Sequence, residues 1–138
     1  MRWNAVCEAM AEQVAALPVI QAIYGATVRM ASPQARHVVP ALEYRIITDT
    51  EMEQWEPIIV QWDQWTVTYE DLVDSERALR QLLHQEAELW LAPNVMVLAK
   101  VLDGAELADP DRQGYFGRAV RFQLDAIAGQ YVEDDVNS

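Results

Sequence analysis

The sequence is poor in the residues that build disulfide frameworks, phosphate-binding loops and metal sites. It contains a single cysteine, Cys7, and only five glycines, which excludes an internal disulfide or a cysteine-based zinc cluster within these 138 residues. Neither G-x-G-x-x-G nor G-K-[ST] occurs, so no phosphate-cradling loop is predicted. The two histidines, His37 and His84, lack the spacing that brings two imidazoles to one metal ion.

Basic residues are also scarce. Ten lysines and arginines stand against 22 acidic residues, which gives a net charge of −12 and disfavours a general electrostatic attachment to nucleic acid or to an anionic membrane. Acidic and basic residues are equal in number over the first fifty residues, so the acidic surplus lies after residue 50. Such a surplus serves solubility, or it forms a surface that repels DNA or docks a basic partner; composition does not choose between them.

Long apolar runs are missing as well. No stretch approaches the 18 or so apolar residues of a membrane span, and the early acid Glu8 argues against a secretory signal. A chain of 138 residues with 51% apolar residues suffices for one core, so we predict one domain over residues 1–130 of a protein made in a cytoplasm. Residues 131–138 have little to bury and are predicted to form a disordered acidic tail.

Helical periodicity appears twice. Apolar residues recur every three or four positions over 3–17, which predicts an amphipathic helix with Cys7 on its buried side. A second helix is predicted to start at Thr68, whose hydroxyl can cap the helix N-terminus. Acidic residues in the turn that follows favour the same start. Its apolar stripe loses clarity by Trp90, and Pro93 stops it.

Four segments have the composition of strands: 41–47, 58–67, 94–102 and 118–124. In the second, the apolar phase changes near Asp63, so either a bulge turns every large side chain to the core or the strand is covered on both faces. Asp103-Gly104 predicts a turn.

Residues 19–40 are predicted to be mostly irregular. The element order is therefore helix, strand, strand, helix, strand, strand. This order predicts an α+β fold with a mostly antiparallel four-stranded sheet packed by two amphipathic helices.

Two polar connections are longer than folding requires, as contact loops often are. They run over 48–57 and 106–114, and their candidate interface residues are Glu51, Glu53, Glu56, Glu106, Asp109, Asp111 and Arg112. The acids of the second loop lack the alternation that aims carboxylates at one calcium ion, so no metal site is predicted.

Aromatic and basic residues interleave once, over 115–122. Such a pattern can stack bases on a sheet, but pairing of Arg118 and Arg121 to acids of a neighbouring strand explains it with less strain. No convergent set of nucleophile, base and oxyanion donor is found, so we predict neither an enzyme nor a cofactor.

Three segments carry a family resemblance: the strand Ile58-Ile59-Val60-Gln61-Trp62-Asp63-Gln64-Trp65, the helix end Leu79-Arg80-Gln81-Leu82-Leu83, and the last strand Arg118-Ala119-Val120-Arg121-Phe122-Gln123-Leu124. With them the chain resembles the tail-terminator, or tail-completion, proteins of long-tailed bacteriophages, from Trp3 to about Ala128.

The resemblance implies a structural virion protein of the tail or neck. Several copies, typically six, would form a ring that caps the tail-tube protein, stops tube growth and presents its other face to the head–tail connector or stopper. The genome would pass through without specific binding, and no membrane is involved. The alternatives are a connector stopper or another minor tail protein, and a small cytoplasmic enzyme or ligand-binding domain, which predicts a deep apolar pocket with perturbed titratable groups.

Overall fold

One six-stranded sheet organises the chain in the computed structural model, which describes residues 3–25, 27–31, 38–47, 57–83, 87–92, 95–109 and 112–128. The helices are α1 (Trp3–Ala15), α2 (Pro18–Tyr24) and α3 (Tyr69–Leu83). The strands are β1 (Val28–Met30), β2 (Ala41–Ile46), β3 (Ile58–Thr66), β4 (Ala87–Ala92), β5 (Val95–Glu106) and β6 (Phe116–Ala128). Their order across the sheet is β1-β2-β3-β6-β5-β4.

The α+β class is confirmed, whereas the count of four strands and two helices is wrong. Both α2 and β1 lie in the segment that we expected to be irregular. Pro18 begins α2, where its fixed φ suits the first helical turn, and Gly25 ends it at a φ of 60°. Strand β1 pairs parallel to β2, while the other neighbouring strands are antiparallel.

The second predicted helix is also shorter than expected. Helix α3 ends at Leu83, and Ala87–Ala92, which we assigned to the helix, is strand β4 paired antiparallel with β5. A short apolar segment is compatible with both helical and strand periodicity. Here the hydrogen bonds available along the edge of β5 favour a strand.

Strand β3 contains no bulge. Its pairing with β2 and with β6 keeps an unbroken register from one end to the other, and its residues are buried on both faces. The alternative of a strand covered on both sides is therefore confirmed. The turn predicted at Asp103-Gly104 is wrong, because β5 continues through it to Glu106 and Gly104 lies opposite Val120 of β6.

The hydrophobic core lies between the three helices and the sheet face that carries Tyr44, Trp62 and Phe122. Cys7 of α1 is fully buried there, as predicted, and burial raises the pKa of its thiol to about 12. No single helix among the described residues is long and apolar enough to cross a membrane. Residues Val6–Ala15 and Pro18–Tyr24 reach that length and composition only as a pair, bent by 85°.

Candidate assembly surface

An open groove of about 1010 Å³ lies between α3 and the ends of β5 and β6. Helix α3 starts almost directly after β3, and the Thr68 hydroxyl caps it by accepting the Asp71 N–H at 3.1 Å. Because Thr66 pairs with Phe116 across β3 and β6, the first turn of α3 comes to the start of β6. The apolar lining residues are Tyr69, Leu72, Val73, Leu107, Tyr115 and Phe116.

Three aromatic side chains form an exposed edge of this groove. Tyr69, Tyr115 and Phe116, which we call the aromatic lip, are 63%, 45% and 41% exposed. The Tyr69 and Phe116 rings meet nearly edge to face, with centroids 5.9 Å apart. Aromatic rings that keep this much area in water while contacting one another are typical of surfaces that bind another protein.

Arginines and one shared carboxylate form the charged part of the groove. Arg80 donates Nε–H to Glu76 Oε2 at 3.1 Å, and Arg118 donates Nε–H to Glu76 Oε1 at 2.5 Å. Arg77 is more exposed and lies 3.6 Å from Asp74. The groove lining contains three of the ten basic residues of an acidic chain against two acids, Glu76 and Glu106, so a small positive excess remains.

A glycine makes room for one of these guanidinium groups. A Cβ on Gly104 would lie 2.6 Å from Arg118 Nη2, a distance that real Cβ contacts do not reach. The continuation of β5 through Gly104 therefore allows the Arg118 side chain to lie across the neighbouring strand at the groove.

A buried chain of hydrogen bonds fixes Glu76 from behind. Tyr24 Oη lies 2.6 Å from Ser75 Oγ, Ser75 donates to Gln64 Oε1 at 2.7 Å, and Gln64 Nε2 donates to Glu76 Oε1 at 3.2 Å. Burial raises the pKa of Tyr24 above its ordinary value, so its hydroxyl stays protonated in alkaline solution as well. These hydrogen bonds connect α2, α3 and β3, so the position of the Glu76 carboxylate in the groove depends on the packing of the core.

The opposite face of the sheet carries an ion cluster around Glu43. Its carboxylate accepts hydrogen bonds from Arg29 at 3.0 Å and from Arg112 at 3.1 Å. The Arg112 guanidinium also lies 4.9 Å from the centre of the Trp65 ring. These contacts hold the loop between β5 and β6 on the sheet, and that loop carries Leu107 and Tyr115 to the groove.

The predicted interface residues fall in different surroundings. Glu106 is exposed and lines the groove. Asp109 is half-buried, and its carbonyl accepts the Arg112 N–H at 2.9 Å. Arg112 is only 4% exposed, so it supports the loop from inside. Glu51, Glu53, Glu56 and Asp111 lie outside the described residues, as does the tail 131–138, and the interface role of both loops stays a prediction.

Sequence reasoning missed most of the groove. The interleaved segment 115–122 was the available signal: Phe116 and Arg118 line the groove, and Arg121 lies 4.0 Å from Asp103 across the β5–β6 pair, as the strand-pairing alternative predicted. Arg118, however, pairs with Glu76 of a helix. Tyr69 gave no signal, since it stands outside the apolar stripe of its helix.

Groups of three or more metal-ligating side chains do not occur among the described residues. Neither a protein-family model nor a curated protein matches the chain.

Proposed function

We propose that this protein is a phage tail terminator: a structural subunit that forms a ring, typically of six copies, on the last ring of the tail tube, stops its growth and presents the joining surface to the head–tail connector. The observation that carries the proposal is the aromatic lip beside the arginine-lined groove. A small domain that keeps three aromatic rings exposed next to directed charges has the composition of a protein interface.

The shape of the sheet supports the same proposal. Its outer strands are the three-residue β1 and the six-residue β4, so both edges of the sheet are short. Short edges discourage uncontrolled strand addition. Contacts between subunits are then left to side-chain surfaces such as the groove, and this suits a ring of defined size better than an open fibre.

The acidic surplus fits a ring through which a genome passes. Exposed acids among the described residues stand on both helical and strand segments; they include Glu8, Glu12, Glu70, Asp74, Asp103 and Glu106. A lumen with negative potential repels phosphates, so DNA can move through it without being held.

Polymerisation of the tail-tube protein tests the proposal. Excess purified protein should stop tube growth, giving short capped tubes by negative-stain microscopy. Tubes that lengthen normally while bearing no bound ring would overturn the terminator role, and binding to the connector alone would replace it by a stopper role.

A pair of matched variants connects this test to the groove. Tyr69→Ala/Phe116→Ala should abolish capping, because it removes the aromatic lip. Val19→Ala changes another exposed apolar side chain, 43% exposed on α2, and should cap as the parent does. Equal capping by the two variants would show that the lip has no part in assembly.

A further inference from the structure

We propose that the groove binds the acidic segment 131–138 of a neighbouring copy of this chain. The inference rests on the proposed function and names the contact that joins one ring subunit to the next. Each subunit would offer its groove to one neighbour and its acidic segment to the other.

The chemistry of the two surfaces is complementary. The segment reads Tyr-Val-Glu-Asp-Asp-Val-Asn-Ser, so an aromatic and an aliphatic residue come directly before three consecutive acids. The groove places the aromatic lip next to three arginines. Tyr131 and Val132 match the lip, and carboxylates match guanidinium groups, which bind them through paired N–H donors.

The arginines have donors left for such a ligand. Arg80 and Arg118 both use Nε on Glu76, and their side chains are 36% and 32% exposed where they line the groove. A guanidinium carries five N–H donors, so the terminal nitrogens remain for incoming carboxylates. In a chain of net charge −12, an acidic segment is repelled by most other surfaces.

Chain length favours a segment that comes from another subunit. Arg118 lies near the start of β6 and Ala128 at its end, about 33 Å apart at the rise of an extended strand. The six residues from Ala128 to Asp134 span at most about 22 Å when fully extended. Even when the segment is fully extended, about 11 Å separates the Cα atoms of Asp134 and Arg118 in one subunit, a gap that their side chains bridge only at full stretch. This favours the groove of a neighbouring copy.

This arrangement gives a head-to-tail contact. The segment leaves from one end of the sheet, and the groove lies at the other end. Heterologous contacts of this kind generate a closed ring when the rotation between subunits closes.

Two full-length charge-reversal variants, identified by mass, test the docking. The segment variant is Glu133→Lys/Asp134→Lys, and the groove variant is Arg77→Glu/Arg80→Glu. Each alone should need about 100-fold more protein for half-assembly in native mass spectrometry, as expected for the loss of two charge-assisted contacts. Mixed one to one, the two variants should form rings of alternating composition at the parental concentration, because each groove again faces a segment of opposite charge.

Matched reversals provide the controls. Glu8→Lys/Glu12→Lys changes two exposed acids of α1 and alters net charge as the segment variant does. Lys100→Glu reverses a basic residue on the other face of the sheet, where Lys100 lies opposite Gln123. Both should assemble as the parent does, and all variants should keep the parental circular-dichroism spectrum.

The outcomes separate this inference from the proposed function. A segment variant that assembles like the parent, or a mixture that assembles no better than its components, overturns the docking while leaving the ring intact. A third outcome is that the mixture fails to assemble, whereas a chain that carries both the segment and the groove reversals assembles. This outcome would overturn docking between subunits. A parent that stays monomeric overturns the proposed function and the inference with it.

Discussion

Glu43 and Asp63 face each other directly across β2 and β3, and their residues are only 4% and 2% exposed. Two buried carboxylates in opposed positions repel each other unless cations compensate. Arg29 and Arg112 pair with Glu43, and Arg45 pairs with Asp63. The sheet face away from the helices is therefore organised by arginines, and one of them, Arg112, comes from the loop that reaches the groove.

Arg112→Met should destabilise the fold by about 3 kcal/mol, because it leaves Glu43 buried with one fewer cation beside Asp63. Urea denaturation measures this loss. Arg77→Met is the matched control: Arg77 is 65% exposed and lies 3.6 Å from Asp74, away from the cluster, so its loss should cost at most about 1 kcal/mol. Equal midpoints for the two variants would show that the cluster does not hold the loop.

Two glycine-to-alanine changes should have different consequences. At Gly117 a Cβ would lie 2.4 Å from the buried ring of Trp65, so Gly117→Ala should cost about 2 kcal/mol of stability. At Gly104 the Cβ would lie 2.6 Å from Arg118 Nη2 and 3.3 Å from the Ala119 carbonyl oxygen. The Arg118 side chain can move aside, but it then leaves Glu76, so Gly104→Ala should cost less stability than Gly117→Ala and should weaken ring assembly in native mass spectrometry. Unaltered assembly would contradict the role given to Arg118.

Stability should fall at alkaline pH through Cys7. Burial raises the pKa of this thiol from 9.0 to about 12. Above pH 9 the unfolded chain loses the proton that the folded chain retains, so the free energy of unfolding decreases until the pH passes about 12. From pH 8 to pH 10, the parent should lose about 1.4 kcal/mol more than Cys7→Ala, measured by urea denaturation. Parallel losses would mean that the thiol is not shielded from water.

The first acidic connection should matter for assembly and not for folding. Reversing charge with Glu51→Lys/Glu53→Lys should impair assembly with the tail tube or with neighbouring subunits, because these acids lie in a polar connection that is longer than a hairpin requires. Its melting temperature should stay close to that of the parent. Normal tail length and infectivity in the variant would remove this connection from the interface.

Apolar periodicity was sufficient to predict the helices and strands whose own sequence shows it. The remaining elements are determined by contacts between residues that are distant in sequence. The apolar spacing of α1 and the alternation of β6 were sufficient to place them. Strand β4 could not be placed in the same way, because its pairing with β5 decides between helix and strand.

The groove escaped prediction for a similar reason. Tyr69 and Phe116 are far apart in sequence, and only the pairing of Thr66 with Phe116 brings them together. Arg112 looked like a surface residue of a polar loop, since nothing local shows that Glu43 and Trp65 bury it. The family resemblance predicted a ring without indicating which surface would form it.

The oligomeric state of the full chain tests the central claim most directly. Native mass spectrometry over a range of protein concentrations should detect one closed species, typically a hexamer, in equilibrium with the monomer, and negative-stain images should show rings. A strict monomer at every concentration would contradict the account.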